Sequence, residues 1–428
     1  MTDTIFALAS GAPPAAIALV RISGPRAFDA AERLAGALPP PRRAGLRALV
    51  DPQTGEAIDR AIVLCFPGPR TASGEDIIEL HLHGGRAVVA AVESALAAID
   101  GLRGAEPGEF TRRALTNGRI DLAEAEGLGD LLTAQTERQR RVAMASVEGV
   151  VSRSVARWAS ELLAISALVE AQLDFSDEAD VDDVAPAKIA TAITALAGEI
   201  GAILAQPPVE RVHHGIRVVL AGPRNAGKST LLNALVDREA AIVSPIAGTT
   251  RDVIEVAVVR GGIAYLFVDT AGLTEETADP VEAIGIDRAR AAMQSADIML
   301  WLDDSPPPEG VMALWIYPRA DARAACADAR RLPLSAVSGV GMAQLWDAIA
   351  ETAVALLPRE DGLAVNARQR ACCQECFAAL NEAALATDDL LIVAEHLRVA
   401  RRALDRLLGR IDTEAMLDSL FGRFCIGK

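Results

Sequence analysis

Residues 222–229 read GPRNAGKS and stand between an apolar run, IRVVLA, and a helix-like run, STLLNALV. This is the pattern G-x-x-x-x-G-K-[ST] in the strand–loop–helix setting its mechanism requires. Backbone N–H groups of such a loop wrap phosphate oxygens, Lys228 reaches the outer oxygens, and the Ser229 hydroxyl is offered to Mg2+. A strand ending in this loop commits the chain around it to a parallel sheet with crossover helices, and the alternation of runs over 212–358 fits that. Taken alone, the pattern also fits a tight strand-to-helix turn. Further elements follow in order. SPIAGTTRD (Ser244–Asp252) sets Thr249 and Thr250 where a second hydroxyl can reach the metal. VDTAGL places Asp269 at a strand end, where a Mg2+-directed carboxylate belongs, and LSAVSG offers Ser335 and Ala336 to a base. The sum reads as a nucleoside triphosphatase.

Two details of this unit depart from the small GTPases of translation and ribosome biology that it resembles in order and spacing. Where N-K-x-D is expected the chain has Pro318-Arg319-Ala320-Asp321. Asp321 can still accept from guanine N1 and N2, whereas Pro318 has no side-chain amide to brace the loop; the plainer alternative makes Asp321 an ordinary turn aspartate. After Asp269-Thr-Ala-Gly272 comes Leu273, which cannot orient water, so Glu282 in DPVEAIGIDRA is the candidate water positioner or general base. A solvated helix carboxylate is the alternative for Glu282. No arginine finger is assignable. A monovalent cation held by the Asn225 side chain can supply that charge instead.

The flanks have other periodicities. Residues 1–118 alternate β-rich runs (AAIALVRISG, RAIVLCFPGP, DIIELHLHGG) with helical stretches, the pattern of an α/β or α+β domain. Residues 119–211 carry apolar positions at three- and four-residue spacing with almost no turn signals, which predicts a long helical region broken at the acidic DFSDEADVDDVAP. The helical period returns over 359–428, so the economical reading inserts 212–358 into one discontinuous helical domain.

With 428 residues, 51% hydrophobic and 23% charged, the chain has the balance of an ordinary globular protein. No apolar run is read as approaching the roughly 18 residues of a membrane span, and MTDTIFALAS lacks a basic n-region. The six cysteines, three of them crowded at Cys372, Cys373 and Cys376, do not form a spaced disulfide framework, so a reducing cytoplasm is expected. A net charge of −16 argues against broad affinity for nucleic acid without excluding a local basic surface. The chain has three lysines, Lys188, Lys228 and Lys428, against a background of arginine. Each therefore carries information, since a planar guanidinium cannot replace a compact ammonium at a tightly shaped site, and two of the three stand in the nucleotide motif and in the tail.

The blocks DTIFALASG…AIALVRISG, FPGPRTASGEDIIELHLHGG, PGEFTRRALTNGRIDLAEAEGLGDLL, DREAAIVSPIAGTTRD and the tail FCIGK run from end to end and resemble the MnmE (TrmE) family of tRNA modification GTPases. The tail and the GEFTRRA…DLAEAE segment are not shared with generic small GTPases. The resemblance implies a multidomain α/β plus all-α chain. It would have an N-terminal α/β folate-binding and dimerisation domain, a discontinuous helical domain, an inserted Ras-like P-loop G domain and a C-terminal Cys-Ile-Gly-Lys tail. It also implies a homodimer whose GTP hydrolysis is activated when two G domains associate around K+. With an MnmG-like FAD protein, in a heterotetramer or larger assembly, such proteins install a carboxymethylaminomethyl or aminomethyl group at C5 of the wobble uridine of certain tRNAs. The one-carbon unit comes from 5-formyl- or methylene-tetrahydrofolate.

Carried over residue by residue, the resemblance implies K+ ligands at Asn225, Ser244, Ile246 and Thr249, and Mg2+ at Ser229 and Thr250. Glu282 falls on the catalytic glutamate, and Cys425 in the tail is a second catalytic candidate. GTP contacts fall on Asn225, Ala226, Gly227, Lys228, Ser229 and Thr230 of the phosphate loop. They continue through Ser244, Pro245, Ile246, Ala247, Gly248, Thr249 and Thr250, then Asp269, Thr270, Ala271 and Gly272, and end at Asp321, Ser335 and Ala336. Folate contacts fall on Arg21, Glu79, Arg119 and Lys428; Arg119 departs from the family's lysine, keeping charge and changing geometry.

Other features have plainer readings. His81 and His83 alternate on a strand and share a face, with structural or pocket-lining roles favoured over a metal lacking a third ligand. Cys373-Gln-Glu-Cys376 reads as packing, and DFSDEADVDD as a solvated connection. Cys425 is fourth from the last residue, as in prenylated tails, yet Gly427 and Lys428 do not fit that pattern. Two other function classes remain open at this level. A switch using the nucleotide cycle for affinity control leaves the terminal motifs idle, and a folate-dependent transferase with a decayed nucleotide site draws weight from Pro318.

Overall fold

The computed structural model describes residues 3–174, 185–223, 225–236, 253–270, 292–359, 362–386, 388–410, 414–422 and 424–427. They fall into two compact units, Met1–Gly129 with Asp405–Lys428, and Asp130–Leu404.

The first unit is built on a six-stranded mixed sheet. Its strands are β1 (Thr4–Leu8), β2 (Ala15–Ser23), β3 (Gly45–Val50), β4 (Ala57–Phe66), β5 (Ile77–Gly84) and β6 (Leu102–Gly104), in the order β3-β4-β5-β2-β1-β6. Strict alternation along the central strands puts Val20, Ile22, Val63, Leu80 and Leu82 on one face, where α1 (Ala27–Ala35) and α2 (Arg86–Ala97) bury them. The opposite parity carries Arg21, Glu79 and His81, together with Ile17, Leu46 and Ile62, which are 60%, 56% and 43% exposed. Beyond the sheet come α3 (Glu109–Thr116) and α4 (Leu122–Thr133). The β-rich runs of the sequence correspond to β2, β4 and β5. The short β1, β3 and β6 carry too few alternations to stand out before pairing supplies their partners.

The second unit opens with α5 (Glu137–Val147), α6 (Val150–Asp174), α7 (Ala185–Leu204) and α8 (Glu210–His213). The single helical region expected over 119–211 is thus interrupted three times besides the acidic break, which itself lies mostly outside the described residues. Thr136 caps α5 through a capping box with Gln139, and Gly149, at φ +76°, ends the next turn in the left-handed region. These are signals of three or four residues that the apolar period overrides in a sequence reading. A second correction concerns α7. Its Ala187–Leu204 window spans 18 residues at a mean hydropathy of 1.5, apolar and long enough by composition to cross a membrane, against the expectation that no run approaches that length. Alanines raise its mean without forming a conspicuous run. Ile189, Ile193, Leu196 and Ile200 make its buried stripe, and the helix packs against α6 and a later helix, Ala367–Leu385.

The nucleotide-type sheet contains β7 (Ile216–Ala221), β8 (Val253–Arg260), β9 (Ile263–Thr270), β10 (Ile298–Trp301), β11 (Ala313–Pro318) and β12 (Leu332–Leu334). Their order is β12-β11-β10-β7-β9-β8. Pairing is parallel except that β8 runs antiparallel to β9. The turn between them is Gly261-Gly262, both at positive φ, a two-residue hairpin signal within the stretch predicted to be parallel. Helices α9 (Lys228–Val236) and α10 (Met342–Leu356) flank the sheet. Tyr265 and Phe267 of β9 pack edge-on against Trp346 of α10, each at 5.6 Å between ring centres. The unit closes with α11 (Ala367–Leu385) and most of α12 (Leu390–Leu407), while α13 (Glu414–Phe421) belongs to the first unit. Cys373 and Cys376 of α11 are fully buried, and burial pushes both thiols up to about 12, which suits packing side chains.

Candidate functional site

β7 is central in its sheet and buried from Val218 to Ala221: Val218 and Leu220 share a core with α9 and α10, and Val219 packs with Ala292. It delivers the phosphate loop at its C-terminal end. Gly222 stands at φ +147°, with the Leu302 backbone so near that a Cβ would lie 3.1 Å from it; Asn225 and Gly227 also take positive φ. Lys228 is 6% exposed and its Nζ donates to the Gly222 and Pro223 carbonyl oxygens, both at 2.9 Å. Burial lowers its pKa, and the nearby Asp269 charge opposes that.

Ser229 Oγ donates to Asp269 Oδ2 at 2.6 Å, and the other carboxylate oxygen, Oδ1, is buried without a hydrogen-bond partner. A buried carboxylate with one unsatisfied oxygen beside a hydroxyl is an unfinished oxygen-ligand set, and it fits a hard divalent cation. Among the described residues no group of three His, Cys, Asp or Glu could hold a metal by itself, so phosphate oxygens would complete such a set. Thr270 is occupied differently: its hydroxyl donates to Leu220 O at 2.7 Å and ties β9 to β7. Thr230 is exposed, and Ala226 packs on the core. Ser244, Pro245, Ile246, Ala247, Gly248, Thr249, Thr250, Ala271, Gly272 and Glu282 lie outside the described residues.

The loop that carries Asp321 follows β11. Arg319, at φ +58°, donates through Nη2 to the Asn225 carbonyl oxygen at 2.5 Å, so the cation in the second position of the altered N-K-x-D element ties that loop to the phosphate loop. The sequence reading assigned Arg319 no role. Asp321 is exposed two residues on, while Ser335 is buried and its N–H donates to Val340 O at 2.9 Å. Ala336 packs partly against the core.

In the first unit, Arg21 and Glu79 face each other across β2 and β5, with Arg21 Nε and Nη2 donating to Glu79 Oε1 at 3.1 and 2.9 Å. The Arg21 guanidinium stands 5.8 Å from the Phe110 ring centre. His81 Nε2 lies 3.6 Å from Glu79 Oε2, and His83 Nδ1 lies 2.7 Å from Asp59 Oδ1. Arg119 does not join this pair: its Nε donates to Thr71 O at 3.1 Å, and its stem lies close to Gly74. The tail reaches the same sheet. Gly427, at φ +94°, is pressed against the Leu8 carbonyl oxygen at the end of β1, and Cys425 O accepts from the Gly108 N–H at 3.5 Å. Gly108, left-handed at φ +68°, has the Phe421 backbone where a Cβ would be. The Cys425 side chain is exposed, and Lys428 lies outside the described residues.

Between these parts lies a buried ionic network that the sequence reading missed. Arg113 has no exposed side-chain surface and donates to Glu75, Glu109 and Asp3, while Ser23 joins Ser73 at 2.7 Å and donates to Glu75 at 2.8 Å. The charged triplet in GEFTRRA was its visible trace, although no spacing rule announces which of two adjacent arginines turns inward.

Two family models match the chain: "GTP-binding protein TrmE N-terminus" over residues 4–119 and "MnmE helical domain" over residues 122–425. The chain is 57% identical over 428 residues to the tRNA modification GTPase MnmE of Erythrobacter litoralis, covering 100% of both chains. It is 54% identical over 446 residues to the protein of that name from Novosphingobium aromaticivorans, again covering 100% of both. Among solved structures, Aquifex aeolicus Era bound to GDP.AlF4- is similar over 38% of this chain and 66% of that one, at 22% identity and a TM-score of 0.26.

Proposed function

Because the chain belongs to the MnmE family of tRNA modification GTPases, matched over its whole length, we propose that it is a K+-activated GTP hydrolase that modifies C5 of the wobble uridine in certain tRNAs. The observation that carries the hydrolase part is Ser229 bonded to Asp269 with one carboxylate oxygen unsatisfied, next to the buried Lys228. In this reading Ser229 and Thr250 would hold Mg2+, which would offset charge on the phosphates, and Lys228 would exchange its two backbone carbonyls for phosphate oxygens. Glu282 orients the attacking water; a bond forms to the γ-phosphorus and the bond to the β–γ bridging oxygen breaks, releasing phosphate. Asn225, Ser244, Ile246 and Thr249 are the proposed K+ ligands.

The proposal extends to the domains: 1–118 for folate and dimerisation, 119–211 and 359–428 as one helical domain, and 212–358 as the inserted G domain. Arg21, Glu79, Arg119 and Lys428 would hold a tetrahydrofolate one-carbon donor, with Cys425 beside it. Support comes from the Arg21–Glu79 pair and the tail lying on one sheet, with Phe110 adjoining Arg21 and Gly108 adjoining the tail. An FAD-containing partner, a cytoplasmic location and a homodimer belong to the same reading, the last supported by the exposed Ile17, Leu46 and Ile62 on the sheet face opposite α1 and α2.

The test compares GTP and ATP turnover in KCl and NaCl, with Glu282→Ala alongside, and analyses tRNA nucleosides from a deletion strain. Faster GTP turnover in KCl, loss of turnover in the variant and unmodified wobble uridines are expected. Equal turnover in both salts would sink the cation mechanism, and intact wobble modification in the deletion strain would leave a nucleotide switch as the function.

A further inference from the structure

The base-side loop is braced although it lacks the asparagine that would brace it. Pro318 ends β11 and offers neither a side-chain amide nor a backbone N–H. The segment from 319 to 331 that follows is nevertheless fastened at both ends. At its start, Ala320 N–H donates to Leu334 O and Ala322 N–H donates to Arg319 O, both at 3.0 Å, so Asp321 occupies the third position of a closed turn. On the far side, Arg323 and Arg331 converge on one carboxylate. Arg323 Nη2 donates to both oxygens of Asp304 at 3.1 and 3.0 Å, and Arg331 Nη2 donates to Asp304 Oδ1 at 2.6 Å. Both guanidiniums lie over the Tyr317 ring, 4.3 and 4.8 Å from its centre, and the Tyr317 hydroxyl donates to Ala324 O at 3.0 Å. The hydrogen bonds from Arg331 and Arg323 hold Asp304 below the ordinary carboxylate range.

Asp304 follows β10, Tyr317 belongs to β11, and Arg331 precedes β12. The cluster therefore joins three adjacent strands of the sheet to the loop that carries Asp321. Flexible arginines gain little from a single exposed carboxylate. Here both are also stacked on a nearly buried ring, and the Arg331 side chain is only 9% exposed, so the geometry is held from several directions.

We propose that the Asp304–Arg323–Arg331 clamp on Tyr317 replaces the missing asparagine amide and positions Asp321 for the guanine N1 and N2 protons. Asp304, Arg323 and Arg331 are then positioning residues that touch no nucleotide, and guanine selectivity survives Pro318. The inference rests on reading Asp321 as the base-recognising residue.

Asp304→Ala is the informative variant, because its side chain is 64% exposed and its loss leaves the sheet core untouched. GDP and IDP affinities are measured by titration on the full chain. IDP lacks the 2-amino group, so the ratio of the two reports the contact with Asp321 alone. Wild type should prefer GDP by about 10-fold or more, what one hydrogen bond to a charged group contributes, and Asp304→Ala should bring that ratio close to one. Asp321→Asn with XDP tests the underlying reading separately: a switch of preference from GDP to XDP supports it, and no switch removes it. A switch there combined with an unchanged GDP:IDP ratio in Asp304→Ala overturns the clamp. So does an equal loss of both affinities with a lowered melting temperature, since that outcome means general loosening of the unit.

Discussion

The backbone of Gly427 is seated against the carbonyl oxygen of Leu8, nearer than any Cβ could be accommodated and in a left-handed conformation at φ +94°. Alanine fits neither the space nor the dihedral, so Gly427→Ala should displace the tail from the β1 end at a local cost of about 1–3 kcal/mol. GTP turnover should stay within about twofold of wild type, because the phosphate loop and its carboxylate belong to the other unit, while wobble-uridine modification should fall by an order of magnitude or more. Cys425→Ser, which leaves the backbone in place, is expected to spare GTP hydrolysis and abolish modification. Nucleoside analysis beside phosphate release reads both, and full modification by Cys425→Ser would reduce that thiol to a bystander.

Arg113 is buried among Glu75, Glu109 and Asp3, so its replacement by methionine strands carboxylates inside the first unit. A loss of roughly 3–5 kcal/mol is expected by denaturant titration, since removing one partner of a buried ionic set leaves its charge uncompensated.

The same network gives the first unit an acid limit. Burial raises the Glu109 pKa, but hydrogen bonds from Arg103, the Glu106 N–H and Arg113 outweigh it and hold the group below its ordinary value of 4.5. A depressed folded-state pKa contributes stability that is fully present above 4.5 and is lost as pH falls through the lower folded value. The unfolding midpoint should therefore drop steeply below about pH 4.5, and Glu109→Gln, less stable at neutral pH, should flatten that slope. A parallel pH profile in wild type and variant speaks against the assignment.

Asp269→Asn keeps the shape of the metal-side carboxylate and removes its charge. GTP turnover at saturating nucleotide should fall by about 100-fold or more, in the range found when a group stabilising transition-state charge is removed. Ser229→Ala should raise the Mg2+ concentration needed for half-maximal turnover. If that concentration does not move in Ser229→Ala, the hydroxyl has no part in holding the cation.

Ile17, Leu46 and Ile62 are exposed apolar side chains on the sheet face opposite α1 and α2. If this face makes the proposed homodimer, Ile17→Asp with Ile62→Asp should shift sedimentation to monomer while the melting temperature of the unit changes little, because neither side chain contributes to the core. A dimer that persists in the double variant places the interface elsewhere.

Much of the nucleotide site was legible before folding because its chemistry is local. A strand, a glycine-bounded loop and a lysine must be contiguous to wrap phosphate, so GPRNAGKS after IRVVLA carries its meaning in order and spacing, as Asp269 does at its strand end. The helical period likewise survives as a pattern of three and four. What the sequence left undetermined is whatever depends on residues far apart in the chain. Nothing in FCIGK says that Gly427 meets Leu8, nothing in RR says that Arg113 turns inward to Glu75, and nothing in PRAD says that Arg323 and Arg331 meet at Asp304. Those contacts form only once the sheet order is set, because hydrogen bonding and close packing select partners by position in space. The sequence by itself determined which groups were available for phosphate, metal and base, and the tertiary structure decided which of them are held, and by what.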